Sequence, residues 1–427
     1  MHWNRWYAAR SYLKSSLWLV PLMALLFEQV AIRVVTSLDA YLEWVPRFAM
    51  TTEGAAGIMD VVVTLTASFI VFTFGSMLVA IQVASGQLTP RIIATALLRD
   101  NVIRCTVGLF IFTMLFAAGA RVRLDDPTPH VTLTVGVVFG IASIMAFLFL
   151  IDYTARLLRP IAIVWRIGEE GLNGIETVYP DPIRSDPAAP PRPPTQRPGK
   201  PARTVEHRGS SGIVLAVNIK ALVALARNAD GMIEFVPRVG DFVASGEPLF
   251  LLYGNAAALP DRLLRSQVAF GPERTIEQDS TFAFRVIVDI AIKALSPAIN
   301  DPTTGVLAID QLHRLLRQVG RRYLHDDAVQ DADGVLRLIF PTPNWEDFVQ
   351  LTFSEIRLYG AENFQISRRL HAMIQNLMTT LPEVRLPALH RELELLDRTL
   401  ERLHQFPEDL ALSKRADLQG LAGSSSG

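Results

Sequence analysis

Apolar residues are spread very unevenly along this chain. Up to about residue 155 they form long, nearly unbroken runs, and beyond it charged and apolar positions alternate as in an ordinary globular sequence. A helix that crosses a hydrocarbon core of about 30 Å needs about 20 mostly apolar residues. Four stretches meet or approach that length: Leu17 to Val35, Ile58 to Ala84, Val102 to Ala120 and Val131 to Ile151. The first holds Pro21 and Glu28, but no small-residue cleavage pattern follows it and three further spans do, so it reads as a retained helix. Arg5, Arg10 and Lys14 precede the first span, Arg91, Arg99 and Arg104 lie around the second connection, and Arg156, Arg159 and Arg166 follow the fourth. The other connections offset Arg47, Arg121 and Arg123 with acids. The positive-inside rule then predicts a multi-pass protein of a bacterial inner membrane with both termini in the cytoplasm.

The expected fold is an α-helical membrane domain over residues 1–155 of about four transmembrane helices, followed by an α+β soluble domain. Residues 156–203 read as a helical extension and a spacer, because Pro190, Pro191, Pro193 and Pro194 favour an extended tether. Residues 204–262 alternate as strands, with a hairpin phrase from Gly240-Asp241-Phe242-Val243 to Gly246-Glu247-Pro248-Leu249. That phrase resembles the biotinyl and lipoyl carrier folds, yet no lysine lies between Lys220 and Lys293 to carry a prosthetic group, so a small β-barrel-like scaffold is expected. Residues 263–410 predict a largely helical α+β part, and 411–427 a flexible tail. Between the second and third spans, Thr89-Pro90 starts a short amphipathic helix through Leu98, expected to lie at the membrane surface.

Composition narrows the chemistry. A net charge of −1 gives no basic surface for nucleic acid. The single cysteine, Cys105, lies in an apolar run and excludes a disulfide framework; it is expected to be a buried structural thiol. The eight histidines are scattered, with no HExxH pair, and neither GxxxxGK nor a strand-borne GxGxxG occurs. GxSxG is met only by Gly423 to Gly427, outside any strand-turn-helix context. The acids around His325, Asp326, Asp327, Asp331 and Asp333 lack a calcium-loop glutamate and read as an acidic turn. No cofactor, metal site or catalytic residue is expected.

Two groups of polar residues stand out. On the second span Asp60, Thr64, Ser68, Gly75 and Gln82 fall within a sector of about 80° at 100° per residue. Such a stripe either lines a pore or packs helices closely. Glu28 in the first span raises the same alternatives, ion passage or an interhelical hydrogen bond. In the soluble part Arg285, Asp289 and Lys293 stack at four-residue spacing, either as a solvated ladder or as a network between helices or subunits. Asn300 and Asp301 follow in the phrase Ser296-Pro297-Ala298-Ile299-Asn300-Asp301-Pro302-Thr303, where Asp301 suits an N-cap and Pro302 a first helical turn.

Several of these phrases together resemble a bacterial predicted-membrane-protein family called domain of unknown function 2254. The likeness rests on Leu88-Thr89-Pro90-Arg91 through Arg99-Asp100, on Gly240-Asp241-Phe242-Val243, on Arg274-Thr275 with Gln278-Asp279, and on Val288-Asp289-Ile290-Ala291 through Asn300-Asp301-Pro302-Thr303. It covers nearly the whole chain and implies an amino-terminal membrane region with a carboxy-terminal soluble region, without an activity. Three functions fit: a homo-oligomeric ion channel or conduit with a cytoplasmic vestibule, a membrane-anchored sensor or scaffold that binds a protein partner, or a membrane enzyme with an unrecognised site. The lipid bilayer is the expected partner in each.

Overall fold

The structure is a computed structural model that describes residues 3–4, 6–7, 18–39, 51–87, 100–124, 130–157, 159–183, 199–276, 278–324 and 327–417. The chain divides into two compact units, one of residues 12–163 and one of residues 1–11 with 164–427. The amphipathic helix expected over residues 89–98 lies outside the described residues, as does most of the proline-rich spacer.

In the first unit, α1 (Leu19–Asp39), α2 (Thr52–Gln87), α3 (Asn101–Val122) and α4 (His130–Leu157) are each long and apolar enough to cross a membrane. The helices α2, α3 and α4 outrun the apolar windows at both ends, and α1 at its carboxy end, because helix-compatible residues continue them. Asp100 caps α3 by accepting from the backbone N–H groups of Val102 and Ile103 at 2.9 and 3.2 Å, and its other carboxylate oxygen takes the Tyr153 hydroxyl of α4 at 2.6 Å. The best-covered helix is α3, packed against α1, α2 and α4. One apolar cluster joins Ile32, Met59, Phe116 and Leu133; another joins Met77, Phe110, Leu150 and Leu157, where Phe69 stacks on Phe147. Ser143 donates to Thr113 across α4 and α3 in the buried interior. Cys105 corrects one expectation: it is exposed on α3. An apolar run identifies the interior of a water-soluble domain, whereas a membrane helix is equally apolar toward lipid, so hydropathy alone does not say which side is buried.

The second unit begins along α5 (Pro160–Val178), and the described amino-terminal residues join it, with Trp3 stacked on Tyr7 against Leu215, Ala216 and Ala269. Its strands are β1 (Arg203–Glu206), β2 (Gly212–Val217), β3 (Gly231–Phe235), β4 (Phe242–Val243), β5 (Pro248–Gly254), β6 (Val268–Gly271), β7 (Ala328–Gln330) and β8 (Leu336–Ile339). They form a five-stranded sheet in the order β1-β5-β3-β8-β7 and a three-stranded sheet in the order β4-β2-β6. Among the described residues only β3 and β8 pair in parallel. The barrel-like expectation is thus corrected to two open sheets. With two residues, β4 is too short to close a barrel, and β3 spends its second edge on β8. Phe235, Phe250, Leu252 and Val214 fill the shared core with Leu222 of α6 (Ile219–Asn228) and Leu264 of α7 (Asp261–Arg265).

The helical part centres on α8 (Ser280–Ala294), apolar on nearly every side and flanked by α9 (Pro302–Gly320) and α10 (Trp345–Gly360). A helix buried all round belongs in a core. Then follow α11 (Phe364–Thr380), α12 (Leu386–Leu403) and α13 (Pro407–Lys414). Regular structure runs past residue 410, and the fully buried Arg368 donates through Nε to the Arg415 carbonyl at 3.1 Å. The helix α5 is tied to α9 by Arg314, which lies over the Trp165 ring and bonds Glu169 at 2.7 Å, and to the residues just past α9 by Arg322 with Glu176 at 3.2 Å. Gly171 permits the close approach, since a Cβ there would lie 2.8 Å from Ala283 Cβ and 3.0 Å from Leu315. Gly171→Val should therefore cost about 1–3 kcal/mol by overpacking, read as a lowered thermal midpoint of the purified protein; an unchanged midpoint would show that α5 does not need this approach.

Candidate functional site

The structure exposes the whole polar stripe of α2: Asp60, Thr64, Ser68, Gly75 and Gln82 all lie on the surface of the membrane unit. They occupy the middle of the sector that α1, α3 and α4 leave uncovered, with Val61, Leu65 and Phe72 on one flank and Phe74 on the other. Val71 and Leu78 share the sector and interrupt its polarity. The hydroxyls of Thr64 and Ser68 donate to the carbonyls of Asp60 and Thr64, each at 2.8 Å, which satisfies the donors but leaves oxygen lone pairs facing outward. Asp60 is paired with Arg121 of α3, both side chains half-exposed. An added Cβ at Gly75 would meet nothing within 4 Å, so this chain's own packing does not require a glycine there. Apart from Asp60, the stripe therefore packs against no helix of its own bundle among the described residues. Glu28, by contrast, is buried and accepts from Gln29 at 2.7 Å.

In the soluble unit Arg285 and Asp289 meet a residue that spacing did not suggest. The Arg285 guanidinium donates from Nε to Asp289 at 2.7 Å and grips both carboxylate oxygens of Glu355, on α10, at 2.5 and 2.7 Å. The fork is bidentate, the strong geometry for this pair. It lifts the Arg285 pKa further above its usual value, with the Glu355 hydrogen bonds as the largest cause, and holds the Glu355 carboxyl below the usual range. Lys293 lies one turn beyond Asp289 and is half-buried. Asn300 and Asp301 stand apart in an architectural role. Asn300 adopts φ +47°, a left-handed conformation that asparagine tolerates, and Asp301 caps α9 by accepting from the Thr304 N–H at 3.1 Å and its hydroxyl at 2.5 Å.

Residues that carried the family resemblance at separate places in the sequence meet in space. Arg274 bonds Asp279 at 2.7 Å and Thr281 at 3.0 Å; Asp279 caps α8; Gln278 accepts from the Val217 N–H at 3.1 Å. Gly240, at φ +93°, lies so close that a Cβ would meet Asp279 Oδ2 at 2.4 Å. The ion pair thus fastens the segment after β6 to the start of the central helix, with the Gly240 turn packed against it, and the expected hairpin is corrected, because β4 and β5 pair into different sheets. Beside it burial raises the Tyr179 phenol to about 12, with Asp279 adding to the shift.

A second polar chain, missed in the sequence because its members sit on α9 and α11, runs from Asp310 through Arg369 to His313 and Asn376. Arg369 donates to Asp310 at 2.7 Å and to Nδ1 of His313 at 3.1 Å, and His313 Nε2 lies 3.0 Å from Asn376 Oδ1. This assigns a neutral ring with its proton on Nε2. Burial, then the Arg369 charge, lowers the His313 pKa to about 4. Among the described residues no group of three or more histidine, cysteine or acidic side chains is placed to hold a metal ion.

Four long apolar helices followed by a soluble region of two small sheets and a helical part define a multi-pass membrane protein. The chain belongs to the family described as predicted membrane protein (DUF2254), which matches residues 14–376. It is similar to uncharacterized proteins of Mycobacterium bovis and Mycobacterium tuberculosis, 25% identical over 438 residues that cover 96% of this chain and 81% of each relative. No solved structure matches it.

Two substitutions test the ionic contacts. Glu355→Gln should cost about 1–2 kcal/mol at neutral pH, less than a buried charged hydrogen bond would, because Glu355 is 41% exposed. Its thermal midpoint relative to wild type reads this out; no loss would make the fork a surface contact without energetic weight. For His313 the unfolded ring titrates near 6.5 and the folded ring near 4. Between those values the unfolded chain binds the extra proton, so stability falls as pH drops through that window. His313→Gln should flatten that slope in midpoint-versus-pH scans, and an unaltered slope would place the acid sensitivity elsewhere.

Proposed function

We propose that this protein is a homo-oligomeric ion conduit of the bacterial inner membrane, in which copies of α2 turn their polar sector toward a shared axis and the soluble regions form a cytoplasmic vestibule. The observation that carries this reading is the uncovered position of Asp60, Thr64, Ser68 and Gln82 on a membrane helix. Hydrocarbon offers such groups no partner, and a water-lined axis does. Hydroxyl oxygens one turn apart replace part of an ion's hydration, and Asp60 beside Arg121 sets the field at one end. Packing of Trp3 and Tyr7 on β2 and β6 supports an amino terminus on the same side as the soluble region, as the positive-inside pattern requires.

Ion flux through the purified protein in liposomes tests it, with Thr64→Leu/Ser68→Leu as the comparison. A conduit conducts, and the variant assembles normally while losing at least tenfold of the flux. Absence of wild-type flux across several ions, voltages and membrane tensions would sink the conduit and leave a sensor or scaffold acting through the soluble region.

A further inference from the structure

A groove of about 310 Å³ runs between α2 and α4, lined by apolar side chains such as Phe72, Phe147, Leu150 and Ile151 together with Thr73 and Thr154. These two threonines differ from others in the membrane unit. Thr36, Thr64, Thr66 and Thr134 each donate to the carbonyl four residues back, at 2.7–2.8 Å, the usual way a hydroxyl is satisfied in a membrane helix. Thr73 Oγ1 is buried at the groove floor with no hydrogen-bond partner among the described residues, and the residue is only 5% exposed. The hydroxyl of Thr154, half-buried on the facing helix, makes no hydrogen bond among the described residues. Two hydroxyl donors are therefore left to a groove whose other polar side chain, Ser76, already donates to the Thr73 carbonyl at 3.0 Å and whose remaining walls are apolar. An unsatisfied donor in a membrane interior costs free energy unless an external acceptor meets it.

The depth of the groove indicates which acceptor. Its lining reaches Thr154 and Ala155 on α4, where the apolar stretch gives way to the exposed pair Asp152 and Arg156. Charged side chains appear where a helix leaves the hydrocarbon for the headgroup region. A bilayer places the ester carbonyls of its lipids at that boundary, with the acyl chains running inward from it. The groove repeats this arrangement, with hydroxyl donors near the boundary and aromatic rings reaching away from it along α2 and α4.

We propose that this groove binds one glycerophospholipid, whose ester carbonyl oxygens accept from Thr73 and Thr154 while an acyl chain lies along Phe72 and Phe147. Thr73 reaches its acceptor by turning about its Cα–Cβ bond, the freedom that the missing backbone hydrogen bond leaves it. Neither the ion conduit nor its polar sector is required.

The test is native mass spectrometry of the full chain in detergent, titrated with a diacyl phosphatidylglycerol and with its diether analogue, which has the same headgroup and chains but no carbonyls. The wild type should hold the diacyl lipid about tenfold more tightly, the factor expected for one to two hydrogen bonds of ordinary net strength. Thr73→Val/Thr154→Val keeps the shape and should bring the diacyl lipid down to the diether level. Ala155→Phe, which fills the mouth, should weaken both lipids; it also serves as the groove variant if the double variant proves unstable. Equal binding of the two lipids by the wild type overturns the proposal, as does full retention of the ester preference in the valine variant. Undiminished binding by Ala155→Phe would place the lipid elsewhere.

Discussion

Hydrocarbon offers a polar group no hydrogen bond, and the arrangement of the membrane unit follows from that constraint. Backbone groups are satisfied within the four helices, and part of the buried side-chain polarity is paired across them, as in Ser143 with Thr113 and Tyr153 with Asp100. Glycines sit where helices cross: Gly136 faces Met59 and Gly140 faces Val62 at distances that leave no room for a methyl group. Against this consistency, the polar residues that stay uncovered on α2 are the exception, and exceptions to local rules concentrate where a protein does something other than fold.

The soluble unit solves a different problem. Its central helix α8 is too apolar to meet water, and the surrounding elements are fastened over it by ions at their edges. Arg274 with Asp279 ties the segment after β6 to its beginning, and Arg285 with Glu355 ties α10 to its charged face. Removing one partner of such a pair costs more than the pair gains, because the remaining charge stays half-buried without compensation. These contacts therefore specify how the elements fit together more than they add to total stability. The same holds for the neutral His313, held between a guanidinium that donates to it and an amide that accepts from it.

Much of the architecture was legible in the sequence. Length and hydropathy locate the four long helices, because a membrane filters sequences by apolar length. Asp301-Pro302 marks a helix start that the structure realises with a side-chain cap, since capping depends on residues within one turn. The turn residues around Gly240 and Gly246 located β4 and β5, but the expected hairpin does not form, because the two strands join different sheets. Closure of the strands was not legible, because pairing of β3 with β8 joins segments about a hundred residues apart.

The sequence by itself determined where the chain is apolar enough to leave water, where its helices begin, and which polar residues share a helical face, for these depend on neighbours a few positions away. Tertiary structure alone decided which face is covered. It left Cys105 and the stripe from Asp60 to Gln82 outside, buried Glu28, and brought Glu355 to Arg285 across seventy positions. The physical reason is that burial and ion pairing are set by which elements pack together, and in a membrane helix the side toward lipid and the side toward protein are written in nearly the same residues.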